Sequence, residues 1–164
     1  MNTKRYLLTA ALALTAPLSI QVSAADECAL TITGNDVMQY DTKQMSVPLN
    51  CKEVQLTLKH VGTAAARVMG HDWVLAKSND VVAIANAGMA AGLKANYLPM
   101  DDKRIIAATR IVGGGESATV VFSTAALEPG GDYSFFCSTP GHRTNMRGKF
   151  VFGGTANLAA SRGN

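Results

Sequence analysis

The sequence predicts an all-β sandwich or barrel with one short helix inserted between strands. Three observations carry that expectation. Apolar residues alternate at period two in short runs, Gly- and Pro-containing turns separate the runs, and one alanine-rich stretch breaks the alternation. No internal repeat is visible.

The runs follow in order. Leu30 and Ile32 alternate with threonines and stop at Gly34-Asn35-Asp36. Val47 and Leu49 form a second short run. In VQLTLKH, Val54, Leu56, Leu58 and His60 share one face before Gly62 ends the run. His71, Trp73 and Leu75 share a face in HDWVL. Residues 78–92, SNDVVAIANAGMAAG, read as the helix, with Ser78 or Asn79 as N-cap and Val81, Ile84, Ala85 and Gly88 on its buried stripe. Ile105-Ile106 opens a run that ends in Gly113-Gly114-Gly115, and Thr119 to Phe122 is the next. After Pro129-Gly130-Gly131, Tyr133, Phe135 and Cys137 share a face, and Phe150 and Phe152 lie in the last run.

Residues 1–24 are expected to be an export signal. Lys4 and Arg5 supply positive charge, YLLTAALALTA is an apolar run, Pro17 breaks it, and Val22-Ser23-Ala24 supplies the small residues of a cleavage site. The apolar run is about half of the ~20 residues that span a bilayer, so membrane insertion is not expected. Residues 25–153 are then one domain and 154–164 a flexible tail rich in small residues. Removing Lys4 and Arg5 lowers the formal net charge of the 164-residue chain from +3 to +1. No cluster of Lys and Arg remains that would favour nucleic acid. A monomer in the periplasm is expected.

Export implies an oxidising compartment. Cys28 and Cys51 lie close in sequence near the start of the mature chain, in polar surroundings, and are paired here. Cys137 is then an unpaired thiol in an exported protein, which asks for an explanation. The plain one is a buried, inert side chain that packs like a small hydrophobe.

The stretch CSTPGHRTNM offers another. Cys137 ends a strand and points inward. Pro140-Gly141 turns the chain so that His142 returns over the same point, and Met146 follows before the last strand. His71 approaches from a neighbouring run, directly after Gly70. Taken singly, His71 would be a satisfied core histidine, Met146 core filler and His142 a surface residue. Taken together, a thiolate, two imidazoles and a thioether suit copper in both oxidation states, and two His with one Cys and a weak axial Met is the blue-copper electron-transfer arrangement.

These motifs also resemble a known family. GNDVMQY (34–40), VMGHDWVL (68–75), GMAAGL (88–93), YLPMDDKRIIA (97–107), FFCSTPGH (135–142) and the Cys-x4-His-x3-Met spacing are similar to the azurins, within the cupredoxins. The resemblance runs from Glu27 to Phe152. It implies a Greek-key sandwich or barrel of the cupredoxin type. It also implies one type 1 copper ion cycling between Cu(I) and Cu(II), held by His71, Cys137 and His142, with Met146 as weak axial ligand and the Gly70 carbonyl opposite. Cys28 and Cys51 fall on the family's disulfide, His60 on a histidine near the metal but not on it, and Trp73 on the buried tryptophan. The implied task is shuttling single electrons between redox partners such as c-type cytochromes and copper or haem reductases, with no catalysis of its own. The implied docking rim around His142 is Met38, Ala64, Val68, Met69, Met89, Pro140 and Gly141.

Four positions depart from the pattern. Asp72 stands where azurins have an asparagine that braces the cysteine loop, and Thr139 where many have phenylalanine. Both changes should move the redox potential, though altered hydrogen bonding to sulfur gives no sign by itself. Arg143, like Asn145, replaces a small or apolar rim residue and calls for a partner with a carboxylate at its rim. The rival functions fit less well. A copper oxidase or reductase needs a second, substrate-open site, and only His60 is left over. A copper carrier needs exposed, exchangeable ligands. A thiol hydrolase using Cys137 and His142 lacks an orienting third group, and zinc accepts the same donors.

Overall fold

The computed structural model describes residues 27–99 and 101–154. The expected export signal lies outside these residues, as does the expected tail apart from Gly154. In chain order the strands are β1 (Ala29–Gly34), β2 (Gln44–Val47), β3 (Glu53–His60), β4 (Val74–Lys77), β5 (Ile105–Ala108), β6 (Ser117–Ser123), β7 (Tyr133–Phe136) and β8 (Arg147–Phe152). A short helix α1 (Ala66–Met69) precedes β4, and the longer α2 (Val81–Ala91) follows it. The strands form two sheets, ordered β1-β3-β6 and β2-β8-β7-β4-β5. The molecule is therefore a sandwich and not a closed barrel.

Alternation in β3 sets the inner face. Val54, Leu56 and Leu58 are fully buried and His60 nearly so, while Glu53, Gln55 and Lys59 face water. Burying each such aliphatic side chain is worth about 1.5–3 kcal/mol. Opposite them Trp73 packs on Phe122, Phe135 and Phe150, with ring centroids 6.0, 6.2 and 6.3 Å away. Its indole Nε1 has no hydrogen-bond partner among the described residues, because its surroundings are apolar.

The five-stranded sheet is covered on its other face by α2. Val81, Ile84 and Ala85 pack on Val74, Ala76 and Phe136. This is why every residue of β7 is buried instead of every second one. Buried in α2 are Val81, Ile84, Ala85 and Gly88, the stripe expected from sequence. The cap differs: Asp80, not Ser78 or Asn79, precedes the first helical residue. The Ser78 hydroxyl is occupied across the sheet, donating to Asp132 Oδ1 at 2.8 Å and contacting Ser134 Oγ at 2.8 Å. The second run also ends earlier than expected. Pro48 cannot extend the β2 ladder, so Leu49 leaves the sheet and is half-exposed.

Cys28 and Cys51 form a disulfide with Cα atoms 5.6 Å apart and a sequence separation of 23. Closing that loop stabilises the fold by about 3 kcal/mol on the chain-entropy model. The bond ties together the approaches to β1 and β3, which run parallel to Gly34 and His60 at their far ends. Those far ends lie beside the site.

Candidate metal centre

The sequence places Cys137 one residue beyond β7, with its side chain continuing the inward series of Tyr133 and Phe135. Past it the chain folds back on itself. His142 N donates to Thr139 O at 3.1 Å, Met146 N to His142 O at 2.8 Å and Cys137 N to Met146 O at 3.0 Å. Gly141 makes the return possible at φ 85°, a left-handed conformation that glycine adopts without strain. Lys43 Nζ holds the outside of the loop by donating to the Asn145 carbonyl.

His71 arrives from the other direction. It precedes β4 as an isolated bridge to Val112, with N–H to O distances of 3.0 and 2.8 Å. It is thus not the first residue of its strand, as expected from sequence. The regular ladder waits until Val74 because the Trp73 amide donates to the Thr109 hydroxyl instead, at 3.0 Å.

These elements bring His71, Cys137 and His142 together, with one ligand atom of each within 4.8 Å of the others and all three buried. His71 Nδ1 lies 3.2 Å from His142 Nδ1, which lies 3.7 Å from Cys137 Sγ. The Asn35 carbonyl sits 2.8 Å from His71 Nε2. A carbonyl only accepts, so Nε2 carries the proton and Nδ1 turns a lone pair to the centre. Burial, the largest influence, lowers the His71 pKa to about 4 and lowers that of His142 as well. Burial also pushes the Cys137 thiol far up, and the Asp72 charge pushes it further. The donor atoms face one another across this point. A cation entering it must release the thiol proton. One soft sulfur and two oriented imidazoles fit copper, so the donor set matches the group expected from sequence.

His60 is excluded from the donor set by its own bonds. Its Nε2 donates to the Met69 carbonyl at 2.8 Å, and its Nδ1 accepts from the Gly62 amide at 3.0 Å. Its ring stacks on His71, with centroids 4.6 Å apart and planes 9° from parallel. Met146 is fully buried and ends beside the His71 ring. A Cβ on Gly34 would lie 2.8 Å from His71 Cδ2 and 3.3 Å from Met146 Cε. Gly70 is buried too, and a Cβ there would fall 2.3 Å from the Ala66 carbonyl and 2.6 Å from Ile111 Cγ2. Its own carbonyl accepts the Thr139 hydroxyl at 2.9 Å.

Asp72 is the brace. Its carboxylate accepts from the Ser138 amide at 2.7 Å and from the Ser138 hydroxyl, joining the His71 segment to the cysteine loop. Tyr40 hydroxyl donates to the Asp72 carbonyl from a third segment. Burial raises the Asp72 carboxyl to about 6 against the pull of the Ser138 bonds. The roles of Tyr40, Asn35 and Lys43 were not read from sequence. Asn35 and Asn145 act through main-chain carbonyls, which have no sequence signal. Around His142, Val68, Met89, Pro140 and Gly141 are exposed, while Met38, Ala64, Met69 and Arg143 are partly buried.

The comparisons with known proteins agree with this geometry. Residues 26–153 match the family model described as copper binding proteins, plastocyanin/azurin family. The chain is 49% identical to Azurin-1 of Alcaligenes xylosoxydans xylosoxydans over 122 residues, 74% of this chain and 95% of that one. It is 47% identical to the azurin of Bordetella pertussis over 137 residues, covering 84% and 91%. Against the azurin of Pseudomonas aeruginosa it is 42% identical over 139 residues, covering 85% and 93%. With that match along the domain and a His–Cys–His group gathered in its own loops, the chain belongs to the plastocyanin/azurin family of copper-binding proteins and is an electron-transfer member of it.

Proposed function

We propose that this protein works in the periplasm after residues 1–24 are removed, carrying single electrons between redox proteins without catalysing a reaction of its own. The convergence of His71, Cys137 and His142 on one buried point carries this reading. The Cys28–Cys51 bond suits an oxidising compartment. In this reading the Met146 thioether and the Gly70 carbonyl would add weak donors to the three that hold the copper. Bound copper would supply a one-electron Cu(I)/Cu(II) couple. The chain's part is to hold its donors still in both states. His71 is fixed by Asn35 and by stacking on His60, and the loop bearing Cys137, His142 and Met146 by Asp72, Lys43 and its own backbone bonds. A site that does not rearrange exchanges electrons quickly. An oxidase or reductase role would need further histidines, and the third one in the chain, His60, has both ring nitrogens engaged.

Adding Cu(II) to the metal-free protein should give an intense blue colour that disappears on reduction and returns on oxidation, with fast exchange between the two forms. A colourless complex, or copper that leaves on reduction, would refute the reading.

Partners would dock over His142, on Met38, Met69, Met89, Pro140 and Gly141, with Arg143 meeting an acidic rim. Charge at such a rim acts mainly on association rate. Arg143→Glu should slow electron transfer from an acidic partner about tenfold at low salt, with the difference vanishing as salt screens it. Stopped-flow rates across ionic strength read this directly, and an unchanged salt dependence would remove Arg143 from the interface.

A further inference from the structure

The hydroxyl of Thr139 bears on a donor of the proposed centre. It gives its hydrogen to the Gly70 carbonyl at 2.9 Å. Thr139 is partly buried, between the exposed Pro140 turn and buried Ser138. Its oxygen is therefore held by the loop and is not free to serve water alone.

We infer that Thr139 is a positioning and tuning residue whose hydroxyl withdraws electron density from the Gly70 carbonyl, biasing the centre toward Cu(I). A hydrogen bond to that carbonyl makes a poorer donor of an oxygen that prefers the harder, more charged ion. The oxidised state then loses more than the reduced one, so the midpoint potential rises. The same argument extends to metal choice. Zn(II) takes oxygen donors readily, so an occupied Gly70 carbonyl disfavours zinc relative to Cu(I).

The inference rests on the copper reading above, and the test separates the two. Thr139→Val keeps the shape and removes the hydroxyl, while Thr139→Ser keeps the hydroxyl. Hydrogen bonds of this kind are worth about 1 kcal/mol. The Val variant should thus shift the Cu(I)/Cu(II) affinity ratio about fivefold toward Cu(II), a fall in midpoint potential of about 40 mV for one electron. Its zinc affinity, measured by competition with a chelator, should rise relative to Cu(I), and the Ser variant should keep the parent's values for both. Thr139→Ala serves as a second hydroxyl-free variant should Val crowd the loop. A blue protein whose potential is the same with Thr, Val and Ala, or in which Ser falls as far as Val, overturns the inference while leaving the copper reading intact. A parent protein that forms no blue complex overturns both.

Discussion

Cys137→Ser should abolish the blue colour and reduce copper affinity by more than the ~100-fold that a partner outside the ligand set is worth. A serine hydroxyl is nearly isosteric with the thiol but stays protonated at any working pH, and oxygen is a poor donor to Cu(I). The pocket would keep two imidazoles and lose its only anionic sulfur. The structure also says why the metal-free variant should fold. The position is buried, the replacement is small, and the hydroxyl lies near His142 Nδ1, which is 3.7 Å from the sulfur it replaces. Unfolding in denaturant separates loss of binding from loss of fold. For the parent, copper at 100 times its dissociation constant should add about 2.7 kcal/mol to the unfolding free energy. For the variant the addition should be near zero, while the metal-free baselines stay close. Strong colour, or an undiminished copper-induced gain, in Cys137→Ser would mean that the sulfur is not a ligand.

Side-chain alternation in the sequence carries most of this architecture. The β3 face of Val54, Leu56, Leu58 and His60 is buried as expected, because one face of an open sheet must leave water. The α2 stripe appears for the matching reason at helical period. The errors lie where local pattern competes with a tertiary bond. Ser78 is a good N-cap residue by type, yet its hydroxyl ties α2's approach to β7 and its neighbouring loop. His71 looks like a strand residue, but Thr109 takes the Trp73 amide and breaks the ladder. The metal centre was legible through residue types that are rare in this chain. Of its supports, the resemblance marked Asp72 and the Gly70 carbonyl. Asn35 contributes a carbonyl, which every residue has, and Thr139 reaches back across 69 positions to its partner, so neither contact had a local signal.

Asp72→Asn should make the metal-free protein more stable at neutral pH and raise the copper potential. Burial, acting against the Ser138 hydrogen bonds, holds the Asp72 carboxyl at about 6, above its ordinary 3.8. Between those values the folded chain keeps a proton that the unfolded chain has released. That favours folding at acid pH, and the contribution is lost as pH rises through 6. Above pH 7 the fully charged carboxylate should cost about 2–3 kcal/mol relative to its uncharged amide. His71 runs the other way, since a pKa of about 4 means that its contribution falls as pH drops below 6.5. It is common to both proteins and cancels in the difference. Asparagine can still accept from the Ser138 amide, and its own amide can donate to the Ser138 hydroxyl, so the brace survives. The two unfolding free energies should therefore coincide below pH 4, separate between pH 4 and 6 and stay apart above it, with the Asn variant the more stable. In the copper form the lost negative charge sits one residue from His71 and hydrogen-bonds the neighbour of Cys137. A unit charge that close acts with on the order of 2 kcal/mol at an effective dielectric near 20. It favours Cu(II), so its removal should raise the potential by roughly 80 mV. Equal stability of the two proteins at pH 8 would mean that Asp72 is not held charged in a buried site. An unmoved potential would mean that its charge is compensated before it reaches the metal.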